Sequence, residues 1–142
     1  MDLLKKLRVG IKTTSASEME RVGEIVAREL FPCGGTLGLR GDLGAGKTTL
    51  VRGLARHLGF SDITSPSFNY YFLYKGRIPL LHLDAYRLNG PADYPSLMID
   101  ELLTPQTLFV IEWPERLGER LPQNALTLEL TILKEGLHQV KL

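Results

Sequence analysis

The chain has 142 residues, enough for one domain with a real hydrophobic core, so residues 1–142 are read as a single domain. Its 17 basic and 16 acidic side chains are interspersed and leave a net charge of +1, which excludes a long-range field that would draw it onto nucleic acid or an anionic membrane. One cysteine, Cys33, excludes an intramolecular disulfide framework and a multi-cysteine zinc site, and reads as a buried or half-buried thiol after a helix.

In chain order, Leu7, Val9 and Ile11 alternate and predict a first strand over 7–13. Ser15 stands three residues before Glu18, a capping-box signature, and Met19, Val22, Val26 and Leu30 then mark one face of a helix that should stop near Pro32 and Gly34-Gly35. Thr36–Arg40 predicts a short strand. Leu50, Val51, Leu54, Ala55 and Leu58 recur at helical spacing, with Gly59 placed to end that helix. Residues 61–67 are hydroxyl-rich and broken by Pro66, hence a loop. Phe68–Tyr74 and Ile78–Leu83, joined at Lys75-Gly76, predict a β-hairpin, and Pro79 implies an unpaired backbone edge near the start of its return strand. Residues 88–96 read as a loop and Leu97–Leu103 as a short helix. Leu108–Ile111 is a continuous apolar run, the pattern of a strand covered on both faces. Leu126, Leu128, Leu130 and Ile132 alternate with polar residues in a half-exposed strand, which Glu135-Gly136 turns into a last strand ending at Leu142. The sum is an α/β domain with a parallel central sheet flanked by antiparallel hairpins and helices. With no apolar run near membrane length and no signal-peptide apolar region, a soluble cytoplasmic protein is expected.

Between the second predicted strand and the helix after it lies Gly41-Asp42-Leu43-Gly44-Ala45-Gly46-Lys47-Thr48-Thr49, which meets the phosphate-loop pattern at every fixed position. Glycines let successive backbone N–H groups turn inward toward an anion where a Cβ would clash. A helix starting near Lys47 aims its positive end at the phosphates. The Lys47 ammonium reaches β/γ oxygens, and the Thr48 hydroxyl can ligate a Mg²⁺ that bridges them. Strand, glycine loop and helix follow in the required order.

Such a loop needs a second acidic site, usually at the end of an apolar strand. Asp84 closes Leu80–Leu83 and Glu112 closes Leu108–Ile111. Two such acids suit complementary roles, one at a metal and one at an attacking water, and spacing does not divide the roles between them. Arg87 can neutralise phosphate charge or sit in a surface ion pair. His82 reads as a hydrogen-bonded core histidine. Trp113 reads first as a packing residue whose indole can also line the site.

Four motifs, GDLGAGKTT (41–49), ITSPSF (63–68), HLDAYR (82–87) and IEWPE (111–115), occur in an order and size that resemble the TsaE (YjeE) family, bacterial P-loop ATPases of tRNA threonylcarbamoyladenosine (t6A) biosynthesis. The glycine loop alone fits many families; the other three in order make the resemblance specific, and it covers essentially the chain. It implies ATP phosphates in loop 41–49, Mg²⁺ held by Thr48 and Glu112, and Asp84 essential for hydrolysis. It also implies a nucleotide-sensing segment at Thr64–Ser67, Trp113 beside the nucleotide, and residues near Ser15 approaching the base. The implied partners are TsaB and the transferase subunit TsaD, whose cycle ATP hydrolysis drives or resets, with tRNA met only through that complex. The absence of a broad basic surface agrees with that last point. Ser67 and Ala85 depart from the family pattern, which has threonine and leucine there; the first keeps a hydroxyl and the second bears on packing.

Two other functions use the same loop. A small-molecule kinase would need an arginine-rich lid and an acceptor pocket for which little chain remains. A nucleotide-gated assembly module would bind ATP with hydrolysis incidental. No Asn-Lys-x-Asp motif supports a guanine-reading GTPase.

Overall fold

The computed structural model describes residues 2–66 and 69–142; Ser67 and Phe68, the ends of the expected sensing segment and of the ITSPSF motif, lie outside them. The chain opens with helix α1 (Leu3–Val9), where a strand over 7–13 was expected. Asp2 caps this helix by accepting from the Lys5 N–H at 2.9 Å, and Leu3 and Leu7, four residues apart, bury its inner face. Val9, one of the three alternating apolar residues, is exposed. Gly10, at φ +110°, ends the helix and leaves strand β1 only Ile11–Thr13.

Helix α2 (Ala16–Leu30) starts as its sequence predicts: Ser15 Oγ accepts from the Glu18 N–H. The return leg of the box lands one residue early, on the Thr14 N–H and hydroxyl, which hold the Glu18 carboxyl below its usual range. Strand β2 (Gly35–Arg40) leads through the glycine loop into helix α3 (Lys47–His57). The two long helices touch through glycines. A Cβ on Gly23 would stand 2.0 Å from the Leu50 carbonyl oxygen, and one on Gly53 1.8 Å from that of Glu20.

Strands β3 (Tyr71–Tyr74) and β4 (Leu80–Asp84) form the expected hairpin, and Pro79 precedes β4, where its carbonyl accepts from the Leu108 N–H. The expected helix over 97–103 is not one. Residues 91–101 instead make three 3₁₀ turns, because Pro91 and Pro95 withdraw backbone donors and Met98 takes a left-handed φ of +56°. Strand β5 (Leu108–Glu112) runs into a 3₁₀ segment at Pro114–Arg120, and strands β6 (Leu126–Lys134) and β7 (Leu137–Lys141) close the chain. Cys33, expected at least half-buried, is exposed.

The seven strands form one sheet in the order β1-β7-β6-β2-β5-β4-β3. Its centre, β6-β2-β5-β4, is parallel, and antiparallel pairs flank it at both edges. The α/β architecture read from the sequence therefore holds. Side chains alternate across the sheet. Leu80, Leu108 and Val110 join the apolar cluster under α2 and α3, while Leu81, Leu83, Phe109 and Ile111 join a second cluster beneath the 3₁₀ turns. With both faces covered, β5 is buried along its whole length. This alternation sets His82 and Asp84 of β4, with Glu112 of β5, on the same face as α3.

Candidate functional site: a glycine loop facing two carboxylates

The loop between β2 and α3 depends on glycines. Gly41, Gly44 and Gly46 have φ values of +154°, +84° and +108°, and a Cβ on Gly41 would stand 2.5 Å from the Leu130 carbonyl oxygen. Gly46 is the N-cap of α3 and provides no side-chain cap, so first-turn N–H groups of α3 have no protein side chain to satisfy them at that position.

Lys47 opens the helix and is almost wholly buried. Its Nζ donates to the carbonyl oxygens of Gly41 and of Asp42, the latter at 3.1 Å, and lies 4.3 Å from the centre of the Trp113 ring. Burial pushes its pKa down, against the pull of Glu112 and Asp84. The cation rests on its own loop's carbonyls and on an indole face.

Across the loop the parallel pairing of β4 and β5 sets Asp84 opposite Glu112. Glu112 is buried and its Oε2 has two neighbours: Thr48 Oγ1 at 3.4 Å and His82 Nε2 at 2.6 Å. Asp84 accepts from the Tyr86 N–H at 3.0 Å; burial raises its carboxyl above the usual range, and the nearby Glu112 adds to the rise. Trp113 follows at φ +60°, with its N–H on the Leu39 carbonyl and its ring 4.8 Å from that of Tyr86.

These groups line a cleft of about 420 Å³. Leu43, Gly44, Gly46, Lys47, Thr48 and Thr49 come from the loop and α3, and Asp84, Glu112 and Trp113 from the strand ends. Ser65, Tyr70, Tyr86 and Arg87 complete the wall. Gly41, Asp42 and Ala45 do not line it; they shape the loop from behind, Asp42 by accepting from the Ala45 N–H. Ser15 is not in this cleft either. It borders a second one of about 340 Å³ that shares Gly44, Gly46 and Thr49 with the first.

The residues fit both a phosphate and a hard cation. The inward-turned glycine loop with an uncapped helix start is an anion cradle. Among the described residues no group of three or more His, Cys, Asp and Glu side chains can hold a metal. Thr48 Oγ1 and Glu112 Oε2, 3.4 Å apart, offer two hard oxygen donors of the kind that suits Mg²⁺.

A sequence model described as "Threonylcarbamoyl adenosine biosynthesis protein TsaE" matches residues 13–140. The chain belongs to the TsaE family. The "tRNA threonylcarbamoyladenosine biosynthesis protein TsaE" of Treponema pallidum is 39% identical over 127 residues, covering 89% of this chain and 93% of that protein. The protein of the same name from Bacillus subtilis is 36% identical over 127 residues, covering 88% and 77%. The crystal structure of Bacillus subtilis YdiB superposes with a TM-score of 0.75 at 30% identity, covering 92% of this chain and 81% of that one. The TsaE match spans the glycine loop, both strand-end acids and the C-terminal hairpin. No helix among the described residues is long and apolar enough to cross a membrane.

Tyr70, Tyr86 and His138 went unremarked as site residues in the sequence. Tyr86 lies inside HLDAYR and packs on Trp113, so the motif carried it without singling it out. His138 had no local signal at all. It stands opposite Thr13 in the β1–β7 pairing, borders the second cleft beside Ser15, and its Nδ1 lies 2.8 Å from the Ala45 carbonyl oxygen.

Proposed function

We propose that this TsaE-family protein is an ATPase of t6A biosynthesis, binding and hydrolysing Mg²⁺·ATP to drive or reset the TsaB–TsaD transferase complex. The observation that carries this reading is the convergence of Lys47, Thr48, Asp84 and Glu112 on one cleft at the glycine loop. Loop residues 41–49 hold the phosphates, and Lys47 exchanges its loop carbonyls for β/γ oxygens. Thr48 and Glu112 would hold the Mg²⁺, which would supply charge neutralisation at the reacting phosphates. Asp84, its carboxyl raised by burial and two residues beyond His82 on the same strand face, orients the attacking water and accepts its proton. Trp113, against the Lys47 ammonium, would stand on the phosphate side, and the second cleft, which Thr49 shares with Ser15 and His138, would take the base. A site of this kind turns over slowly until a partner supplies further transition-state stabilisation. The relatives' names connect them with t6A biosynthesis, and an enzyme in that process needs the tRNA-handling partners that this charge balance does not replace.

The test is phosphate release from ATP with and without TsaB and TsaD. Stimulation by the pair, lost in Lys47→Ala and Asp84→Ala, is expected. Undiminished hydrolysis in either variant would remove these residues from the mechanism. Sustained modification on a non-hydrolysable analogue would instead favour the assembly-module reading.

A further inference from the structure

His82 is fully buried, and its two ring nitrogens have opposite fates. Nε2 lies 2.6 Å from Glu112 Oε2, while Nδ1 is buried with no hydrogen-bond partner among the described residues. A carboxylate oxygen can only accept, so Nε2 carries the proton of that bond. An ordinary core position between Leu81 and Leu83 would favour an apolar side chain, since an unmet buried polar atom is unfavourable. The histidine's one hydrogen bond is therefore the feature that distinguishes it from such a residue. That bond ends on the same oxygen that faces Thr48 Oγ1 at 3.4 Å.

We propose that His82 is a positioning residue: its Nε2–H holds the Glu112 carboxylate in the orientation that, with Thr48, receives a divalent cation. The proposal rests on the reading of Glu112 as a cation ligand given above. Strand geometry makes the arrangement possible. Pairing of β4 with β5 sets His82 beside Val110 and Asp84 beside Glu112, so the imidazole spans diagonally from one register position to the next. A glutamate on a sheet end has freedom about three side-chain torsions; a donor fixed inside the core restricts it before any cation arrives.

The experiment compares two amides. The Gln amide nitrogen lies the same number of bonds from Cβ as His Nε2 and can reach Glu112, whereas the Asn amide is one bond short. Binding of the non-hydrolysable β,γ-imido analogue of ATP is measured by calorimetry across a Mg²⁺ series and in EDTA for wild type, His82→Gln, His82→Asn and Glu112→Gln, with melting curves for each. Expected is an increase of about tenfold in the Mg²⁺ concentration needed for tight binding in His82→Asn, with affinity in EDTA unchanged and His82→Gln close to wild type. Equal Mg²⁺ dependence in His82→Asn and wild type overturns the proposal, as does a His82→Gln variant impaired as much as His82→Asn, or a loss of the same size in EDTA. Glu112→Gln separates the levels. If it leaves the Mg²⁺ requirement unchanged, the cation reading of Glu112 fails and the proposal with it; if it raises the requirement while His82→Asn does not, the positioning role alone fails. Should His82→Asn not fold, His82→Leu against His82→Gln makes the same comparison.

Discussion

Helices α2 and α3 lie side by side on the same sheet face and begin in opposite ways. The first turn of α2 is satisfied from within, by Ser15 Oγ on the Glu18 N–H and by Glu18 on Thr14. At the start of α3, Gly46 offers no side chain, and the lysine that follows folds back over the loop. Orphan N–H groups are a feature of every helix start, and two remedies are open: a neighbouring side chain, or a ligand. The contrast therefore separates a helix start that carries its own side-chain cap from one that leaves that position open.

The largest expected effect falls on the open start. Lys47→Ala should lower ATP turnover by at least about a hundredfold while the protein still melts cooperatively, as phosphate release and calorimetry would show. Next is the contact that holds the pair in place. Gly53→Ala sets a Cβ against the Glu20 carbonyl and should destabilise by about 3 kcal/mol, lowering Tm by about 10 °C or preventing folding. A melting temperature within 2 °C of wild type, on the order of 1 kcal/mol or less, would show that the helices separate easily. Mg²⁺·ATP at a hundredfold excess over its Kd should add about 2.7 kcal/mol, read as a higher Tm, if the open start is its site; a Lys47→Ala protein at the same concentration should gain much less. Ser15→Ala breaks the closed start and should cost about 1 kcal/mol in urea unfolding.

The smallest effect is a matter of pH. In the unfolded chain Asp84 titrates near the ordinary aspartate value of about 4, and burial raises it in the fold. The folded protein then holds more protons between those two values, so stability falls as pH rises through that window. Asp84→Asn should accordingly melt higher than wild type at pH 7, and the difference should vanish as pH drops below the ordinary aspartate range. A lower Tm for Asp84→Asn at pH 7 would mean that the Tyr86 N–H bond outweighs desolvation.

Much of this contrast was legible in the chain. The capping box, the glycine loop and the two acids closing apolar runs are local patterns, and local patterns with a physical reason survive folding. Three features were not legible, each for its own cause. Leu7, Val9 and Ile11 imitate a strand over five residues, too few to reveal the helical Leu3–Leu7 pair capped by Asp2. Gly23 and Gly53 lie inside helical patterns where glycine reads as a weakness; only the crossing of α2 and α3 shows that a side chain has no room. His138 reaches the loop through strand pairings 93 positions away from Ala45, a distance no motif spans.

Trp113 carries one more consequence. In a strand, neighbouring residues look to opposite sides of the sheet, so an extended chain would send Glu112 and its successor apart. The left-handed twist at Trp113, φ +60°, folds two consecutive side chains onto one cleft. Such a backbone costs roughly 1–2 kcal/mol for a residue with a Cβ, and glycine would relieve it while leaving the cleft uncovered. The sequence neighbour of the carboxylate is thus also its spatial neighbour, and an indole fluorophore stands one peptide bond from Glu112 on the wall of the same cleft.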